Sequence, residues 1–259
     1  MKIIVAIKQV PARDSQLRLN SAAKWIDEED LTFEINEPDA YALEEALQLK
    51  EKQGAGEVIA LCLGPERAGS TLREALAKGA DRAIHIVCEH PESLDPLAIA
   101  KLLAGAIRTE APDLVLTGLQ SDDLGSGQTG VIVAELLGCS HATIIMEVLP
   151  QPSSQNVGSV RVKRELEDGW FQYIQMPLPA VLTIQSGINR LRYATLMGIK
   201  KAKTKEMRII EAETVGGQAA SLDGIYPPDR QKQTQMITGT AKEQAVQLVE
   251  KLRFEMRVL

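Results

Sequence analysis

The chain has 259 residues, 44% hydrophobic and 25% charged with only 3% aromatic, which fits one large domain, or one domain plus an extension, around an aliphatic core. A net charge of −6 excludes a general nucleic-acid binder, which would present a basic surface, although Lys200 to Lys205 forms a local basic patch. Cys62, Cys88 and Cys139 match neither a zinc site nor a redox CxxC, and no apolar run is long enough for membrane insertion.

In chain order, Ile3 to Ile7 is a continuous aliphatic run, as a strand covered on both faces requires. Asp39 to Lys52 is a predicted helix, with Ala42, Ala46 and Leu49 along one side and Glu44, Glu45 and Lys50 on a solvated face. Val58 to Leu63 is a second buried strand, ended by Gly64-Pro65. Thr71 to Lys78 is a helix with Gly79 as its cap, and Ala83 to Val87 is a third strand. Asp95-Pro96 starts a helix reaching about Arg108, with an N-cap carboxylate before a proline at the first helical position. Leu114 to Thr117 is the fourth strand, Gly118 to Gly130 a loop, and Val131 to Leu137 a helix. This order predicts an α/β fold with a doubly wound, mostly parallel sheet, Rossmann-like and of the adenine-nucleotide-binding type.

Beyond residue 140 the rhythm changes. Ile144 to Leu149, Val160 to Leu166 and Phe171 to Gln175 are predicted strands with no helices between them, and Glu167-Asp168-Gly169 is a hairpin turn. They add antiparallel strands to the parallel sheet, and Ala180 to Ile184 is another buried strand. From Lys205 the pattern is less regular, with Gly216-Gly217 and Tyr226-Pro227-Pro228-Asp229 in a polar stretch. A last helix carries a Thr240/Glu243 capping box and a stripe of Ala245, Leu248, Val249 and Leu252. It packs either on its own domain or on another chain. The expected organisation is an α/β domain over residues 1–190, a distinct segment over 191–205 and a C-terminal arm over 206–259.

In open parallel sheets, ligands bind beyond the carboxyl ends of the strands, where the strand order reverses. Three regions beside those ends carry suitable residues. Ala6 is small enough to leave room for a flat ring, and Asn36-Glu37-Pro38-Asp39 precedes the first helix. The fourth strand opens into Gly118-Leu119-Gln120-Ser121-Asp122-Asp123-Leu124-Gly125-Ser126-Gly127-Gln128-Thr129-Gly130 and then a helix. Glycines let backbone N–H groups approach an anion, and the helix N-terminus adds partial positive charge. Ser126 and Thr129 can donate to a phosphate, whereas Asp122 and Asp123 would repel it and face ribose hydroxyls or cap amides instead. The loop is not a P-loop, and it is not a dinucleotide GxGxxG placed after the first strand; such a loop is often a simple turn. Its company at neighbouring strand ends is what points to a nucleotide.

His85, His90 and His141 have no nucleophile motif near them and read as structural or surface residues. The chain contains no GxSxG, HExxH or CxxCH. A nucleotide site without catalytic apparatus indicates a carrier or binding subunit, not an enzyme. One rival, an adenine-nucleotide hydrolase or ligase, wants a Ser-Gly-Gly loop where this chain has Lys8-Gln9-Val10-Pro11. Another is a reversible AMP-binding sensor module. In Tyr193 to Lys203, Leu196, Met197 and Ile199 stand beside Lys200, Lys201 and Lys203. That is an apolar anchor with a steering rim, or else a short amphipathic helix packed on its own domain. The N-terminal run does not have the form of a secretory signal, so the expected location is cytoplasmic in a prokaryote, or an organelle matrix.

Several blocks resemble the small (β) subunit of electron-transfer flavoproteins along nearly the whole chain: Val5-Ala6-Ile7-Lys8, the entry from Asn36 to Glu44-Glu45-Ala46, Ala77-Lys78-Gly79-Ala80-Asp81-Arg82, Gln128-Thr129-Gly130, Arg164-Glu165-Leu166-Glu167, and Pro179-Ala180-Val181-Leu182-Thr183 leading to Arg192-Tyr193-Ala194-Thr195-Leu196. The resemblance implies a heterodimer with a larger α subunit that makes most FAD contacts, while the β subunit buries a structural AMP. AMP would then lie against Ala6, Asn36 to Asp39, Leu63 and the loop from Gly118 to Thr129. Tyr193 to Lys203 would be the partner-recognition loop, with Leu196 as the anchor on a dehydrogenase. Electrons would pass on to a quinone oxidoreductase or another acceptor, and the last helix would be an arm on the α subunit. Two departures stand out. Gln9-Val10-Pro11-Ala12-Arg13 lacks the aromatic that some members place near the flavin ring. Flavin-bifurcating members, which hold a second FAD in the AMP site, typically read Asp-Gly-Asp-Thr-Ala-Gln where this chain has Ser121-Asp122-Asp123-Leu124-Gly125-Ser126. The resemblance therefore favours AMP.

Overall fold

The aliphatic run at the start of the chain is buried on both faces, with Ile3, Val5 and Ile7 in one core cluster and Ile4 in the other. That alternation is the pleat of a strand inside a sandwich of helices. The computed structural model describes residues 1–151, 158–228 and 234–258. Its elements in chain order are β1 (Lys2–Ile7), β2 (Gln9–Pro11), β3 (Phe33–Ile35), α1 (Glu37–Gln53), β4 (Glu57–Gly64), α2 (Gly69–Lys78), β5 (Arg82–Val87), α3 (Pro96–Glu110), β6 (Leu114–Gly118), α4 (Thr129–Leu137), β7 (Ser140–Gln151), β8 (Ser159–Glu165), β9 (Phe171–Pro177), β10 (Ala180–Ile184), α5 (Leu196–Ala202), β11 (Met207–Glu211) and α6 (Ala241–Glu250).

Among the described residues, nine strands form one sheet in the order β11-β5-β4-β1-β6-β10-β7-β8-β9. Pairing is parallel from β11 to β7 and antiparallel from β7 to β9. β7 serves both regimes, pairing with β10 through its first half and with β8 through its second, and its register slips around Ile144, where φ is 59°. Leu43, Ala46, Leu72 and Leu76 of α1 and α2 bury one face of the sheet; Leu103, Ile107, Val133 and Ala134 of α3 and α4 bury the other. From β1 the order runs to β4 and β5 on one side, then returns to β6 on the other, so the crevice lies between the ends of β1 and β6.

Local chemistry explains the element ends. Asp95 Oδ1 accepts the Ala98 N–H at 2.8 Å at the start of α3, Gly79 closes α2 with φ 137°, and Asp168 and Gly169 take the positive φ that the β8–β9 turn requires. Cys62 is fully buried, and burial pushes its thiol up to about 12, so it behaves as a small hydrophobe. His85 is also buried, with Nε2 3.1 Å from the Gly64 carbonyl oxygen.

Three readings are corrected. Glu44 and Glu45 do not face solvent: they are 4% and 5% exposed. Glu44 accepts from Arg192 Nε at 2.7 Å, and Glu45 accepts from Asn189 Nδ2 at 3.1 Å. Beyond Lys205, where the pattern is less regular and no strand is expected, β11 adds a parallel edge strand against β5. Thr129 and Gly130 belong to α4, not to the preceding loop.

The chain divides into compact units over residues 1–225 and 226–259. In the second, Thr240 and Glu243 form the capping box that opens α6. Leu248 and Val249 of α6 are exposed, as are Phe254 and Met256 after it. Asp229, the end of the Tyr226-Pro227-Pro228-Asp229 stretch, lies outside the described residues.

Candidate functional site

The crevice is built by side chains that tie loops to strand ends. The backbone N–H of Asn36 donates to the Lys8 carbonyl at 2.9 Å. Its side chain donates to the Gln120 carbonyl at 3.0 Å and accepts the Asp122 N–H at 2.9 Å. Three residues on, Asp39 accepts the backbone N–H of Lys8 and that of Gly118, each at 2.7 Å. The Lys8 ammonium bonds Asp123 at 2.6 Å and Ser121 at 3.3 Å. The first turn of α1 thus joins the end of β1 to the loop after β6, and both walls are stitched by buried or charge-assisted bonds.

A cavity opens above these ties. Of the residues expected there, Ala6, Asn36, Asp39, Leu63, Gly118, Gln120, Asp123, Ser126, Gly127, Gln128 and Thr129 line it. Glu37, Pro38, Asp122 and Gly125 do not. Glu37 pairs with Arg13, which also stands 3.5 Å from Asp122. Pro38 lies under Gly118, where an added Cβ would come within 2.7 Å of it. Gly125 turns the loop with φ 61° and donates to the Ser121 carbonyl at 2.9 Å. At the start of α4, a Cβ on Gly130 would meet Thr117 Oγ1 at 2.6 Å, so only glycine lets that helix N-terminus sit on the strand end.

The lining suits an adenylate. Ala6, Leu63, Ile99 and Leu103 supply apolar surface for a ring, while Ser126, Thr129 and the α4 N-terminus supply hydroxyl and backbone donors for a phosphate. Gln9 also lines the cavity, and its side-chain oxygen is buried without a hydrogen-bond partner among the described residues. Sequence reasoning missed Gln9, Trp25, Arg67, Ile99 and Leu103. The signal for the last two was the strand order itself, because α3 starts from the same end of the sheet.

Within the stretch from Tyr193, Leu196–Ala202 forms the short helix α5, and Tyr193, Ala194 and Thr195 precede it outside any helix. Thr195 caps it by accepting the Gly198 N–H at 3.0 Å. Gly198 lies so close to α2 that a Cβ there would be 2.3 Å from the Ala77 carbonyl oxygen. Ala202 is buried, and Arg73 donates to its carbonyl at 2.7 Å. α5 is therefore fixed to the sheet domain by its small residues. It leaves Leu196 82% exposed, with Tyr193, Met197 and Ile199 also exposed and Lys200 and Lys201 beside them. No helix among the described residues is long and apolar enough to cross a membrane, and none of their His, Cys, Asp and Glu side chains cluster to hold a metal.

The electron transfer flavoprotein domain matches residues 24–215. The chain is 36% identical to the electron transfer flavoprotein subunit beta of Methylophilus methylotrophus, over 96% of this chain and 97% of that protein. It is 35% identical to the mitochondrial subunit beta of Oryza sativa subsp. japonica over all of both chains, and 34% identical to the subunit beta of Sus scrofa over 98% and 97%. An α/β sheet with this crevice, matched over nearly its full length to proteins of one name, belongs to the electron transfer flavoprotein family, on the beta-subunit side.

Proposed function

We propose that this chain is the adenylate-holding and partner-recognising half of a heterodimer with an electron-transfer flavoprotein α subunit. The pair takes electrons from a dehydrogenase and passes them to a quinone oxidoreductase or another acceptor. The observation that carries this reading is the crevice between β1 and β6, whose residues fit an adenylate. AMP lies there, its ring against Ala6 and Leu63 and its phosphate toward Ser126, Thr129 and the start of α4. The FAD, held mainly by the α subunit, supplies the redox chemistry when bound. This chain contributes position and recognition. Leu196, with Met197 and Ile199 around it, is the apolar anchor for the dehydrogenase, and Lys200 and Lys201 steer the encounter. A small, brief contact suits transient electron exchange. The exposed apolar side chains of α6 cover part of the α subunit. A carrier of this kind works in a cytoplasm or an organelle matrix, in keeping with the bacterial and mitochondrial relatives.

Co-expression with the α subunit, followed by acid extraction and mass spectrometry, tests the assignment. One FAD and one AMP per heterodimer is the expected count. A colourless complex would overturn the carrier role, and two FAD with no AMP would overturn the adenylate.

A further inference from the structure

One carboxylate joins both walls of the crevice. Asp39 sits in the first turn of α1, and its two oxygens accept the N–H of Lys8, just after β1, and of Gly118, at the end of β6. There is no slack in this joint, because a Cβ on Gly118 would fall 2.3 Å from Asp39 Oδ1. Asp39 borders the cavity, yet it is only 6% exposed. Among the described residues no cation bonds its oxygens. The Lys8 ammonium is committed to Asp123, and Arg13 is committed to Glu37 and Asp122. Cys62 of β4 faces it as a neutral thiol, and Arg67, after β4, is paired with Glu28. The charge on Asp39 therefore rests first on two backbone N–H groups and the start of α1, with lesser help from the Asn36 side chain and the Lys8 charge. A ligand that fills the crevice removes remaining water from this carboxylate, and an anionic ligand adds like charge nearby. Both effects favour its protonated form.

We propose that Asp39 is a positioning residue that sets the spacing of the two crevice walls and takes up a proton when an anionic nucleotide fills the crevice. Nucleotide affinity is thereby linked to pH through a side chain that does not bond the ligand. This deepens the adenylate reading and rests on it.

The free carboxyl is poised for such a response. Burial raises it to about 7, against the backbone N–H groups of Lys8 and Gly118, the Asn36 side chain and the Lys8 charge, which all pull it down. An acid that gains affinity for its proton on binding makes affinity highest at low pH and lets it fall as pH rises through the free value. A phosphate monoester has its second pKa near 6, so above neutrality a falling affinity is not due to the ligand.

The test is calorimetric titration of AMP into the nucleotide-free heterodimer, from about pH 7 to about pH 8.5, in buffers of different ionisation enthalpy. Affinity should fall roughly five- to tenfold over that range, with about half a proton taken up at pH 7. Asp39→Asn should flatten the pH dependence and remove that uptake. Equal proton counts in the two proteins would overturn the proposal. If the variant does not assemble, the native pH series decides alone, and an affinity that stays flat or rises overturns it. No binding by the native protein at any pH would remove the adenylate reading, and this inference with it.

Discussion

Replacing Arg192 with methionine cuts the tie between α1 and the segment that leads into α5. Its guanidinium donates to Glu44 at 2.7 and 3.1 Å and to Glu51 at 2.6 and 3.0 Å. The two halves of this fork are not equivalent. The Glu51 side chain is 58% exposed, and an exposed pair contributes about 0–1 kcal/mol. The Glu44 side chain is only 5% exposed, and stranding a buried carboxylate costs about 3–5 kcal/mol. Because Arg192 is itself 29% exposed, water can enter the gap it leaves, so about 3 kcal/mol in all is the expected loss. For a chain of this size that lowers Tm by roughly 6–12 °C. Urea unfolding should show a lower midpoint at unchanged slope. The double variant Arg192→Met/Glu44→Gln removes the stranded charge and should recover at least about 1 kcal/mol. Arg192 also holds the Glu51 carboxyl below its ordinary value. That share of stability is present above the unfolded carboxylate pKa of about 4.3 and is lost as pH falls through the lower folded value, so the gap between native and variant narrows in acid. A single variant within about 0.5 kcal/mol of the native protein, or a double variant no better than the single, would refute the reasoning.

Leu196→Ala should leave flavin and AMP content intact and lower kcat/KM for reduction by the partner dehydrogenase about 30-fold, the equivalent of about 2 kcal/mol; unchanged reduction kinetics would remove the anchor role. Within the crevice loop, Gly118→Ala should abolish assembly or AMP retention, because its Cβ would clash with Asp39 and Pro38. Gly127→Ala meets only the Leu119 carbonyl oxygen, at an ordinary contact distance of 3.9 Å, and pays for its φ of 64°, about 1–2 kcal/mol; equal AMP content in the two variants by mass spectrometry would contradict this. Asp39 also carries a stability signature of its own. A folded value of about 7 against about 3.9 unfolded makes the protonated state the stabilising one, a contribution complete below about pH 4 and lost as pH rises to about 7, worth roughly 4 kcal/mol. Native protein should therefore lose stability relative to Asp39→Asn over that range, and a pH-independent difference in denaturant unfolding would count against a buried carboxyl.

What could be read from the sequence depended on how far apart in the chain the interacting partners lie. Ile3 to Ile7 and Ala180 to Ile184 announce themselves because a strand covered on both faces needs nothing but its own aliphatic run. Asp95 and Thr240 announce their helices because a cap bonds an amide three residues away. Glu44 and Glu45 were misread for the opposite reason. Their charge pattern is that of a solvated face, and the residues that bury them, Asn189 and Arg192, lie more than a hundred positions later. β11 was missed because Ile209 of this edge strand is exposed, so its pattern lacks a continuous run. The crevice falls between these cases. Its glycine loop and small Ala6 carry local signals, whereas the role of Asp39 depends on β1 and β6 being neighbours, which only the strand order establishes. Local chemistry therefore named the residues at the site, but not the division among them into those that line the cavity and those that hold its walls. Glu37 and Asp122, paired through Arg13 outside the lining, belong to the second group, and Asp39, which lines the cavity while bonding both walls, belongs to both. Substitutions in that group should act on the shape of the crevice before they act on any contact with a nucleotide.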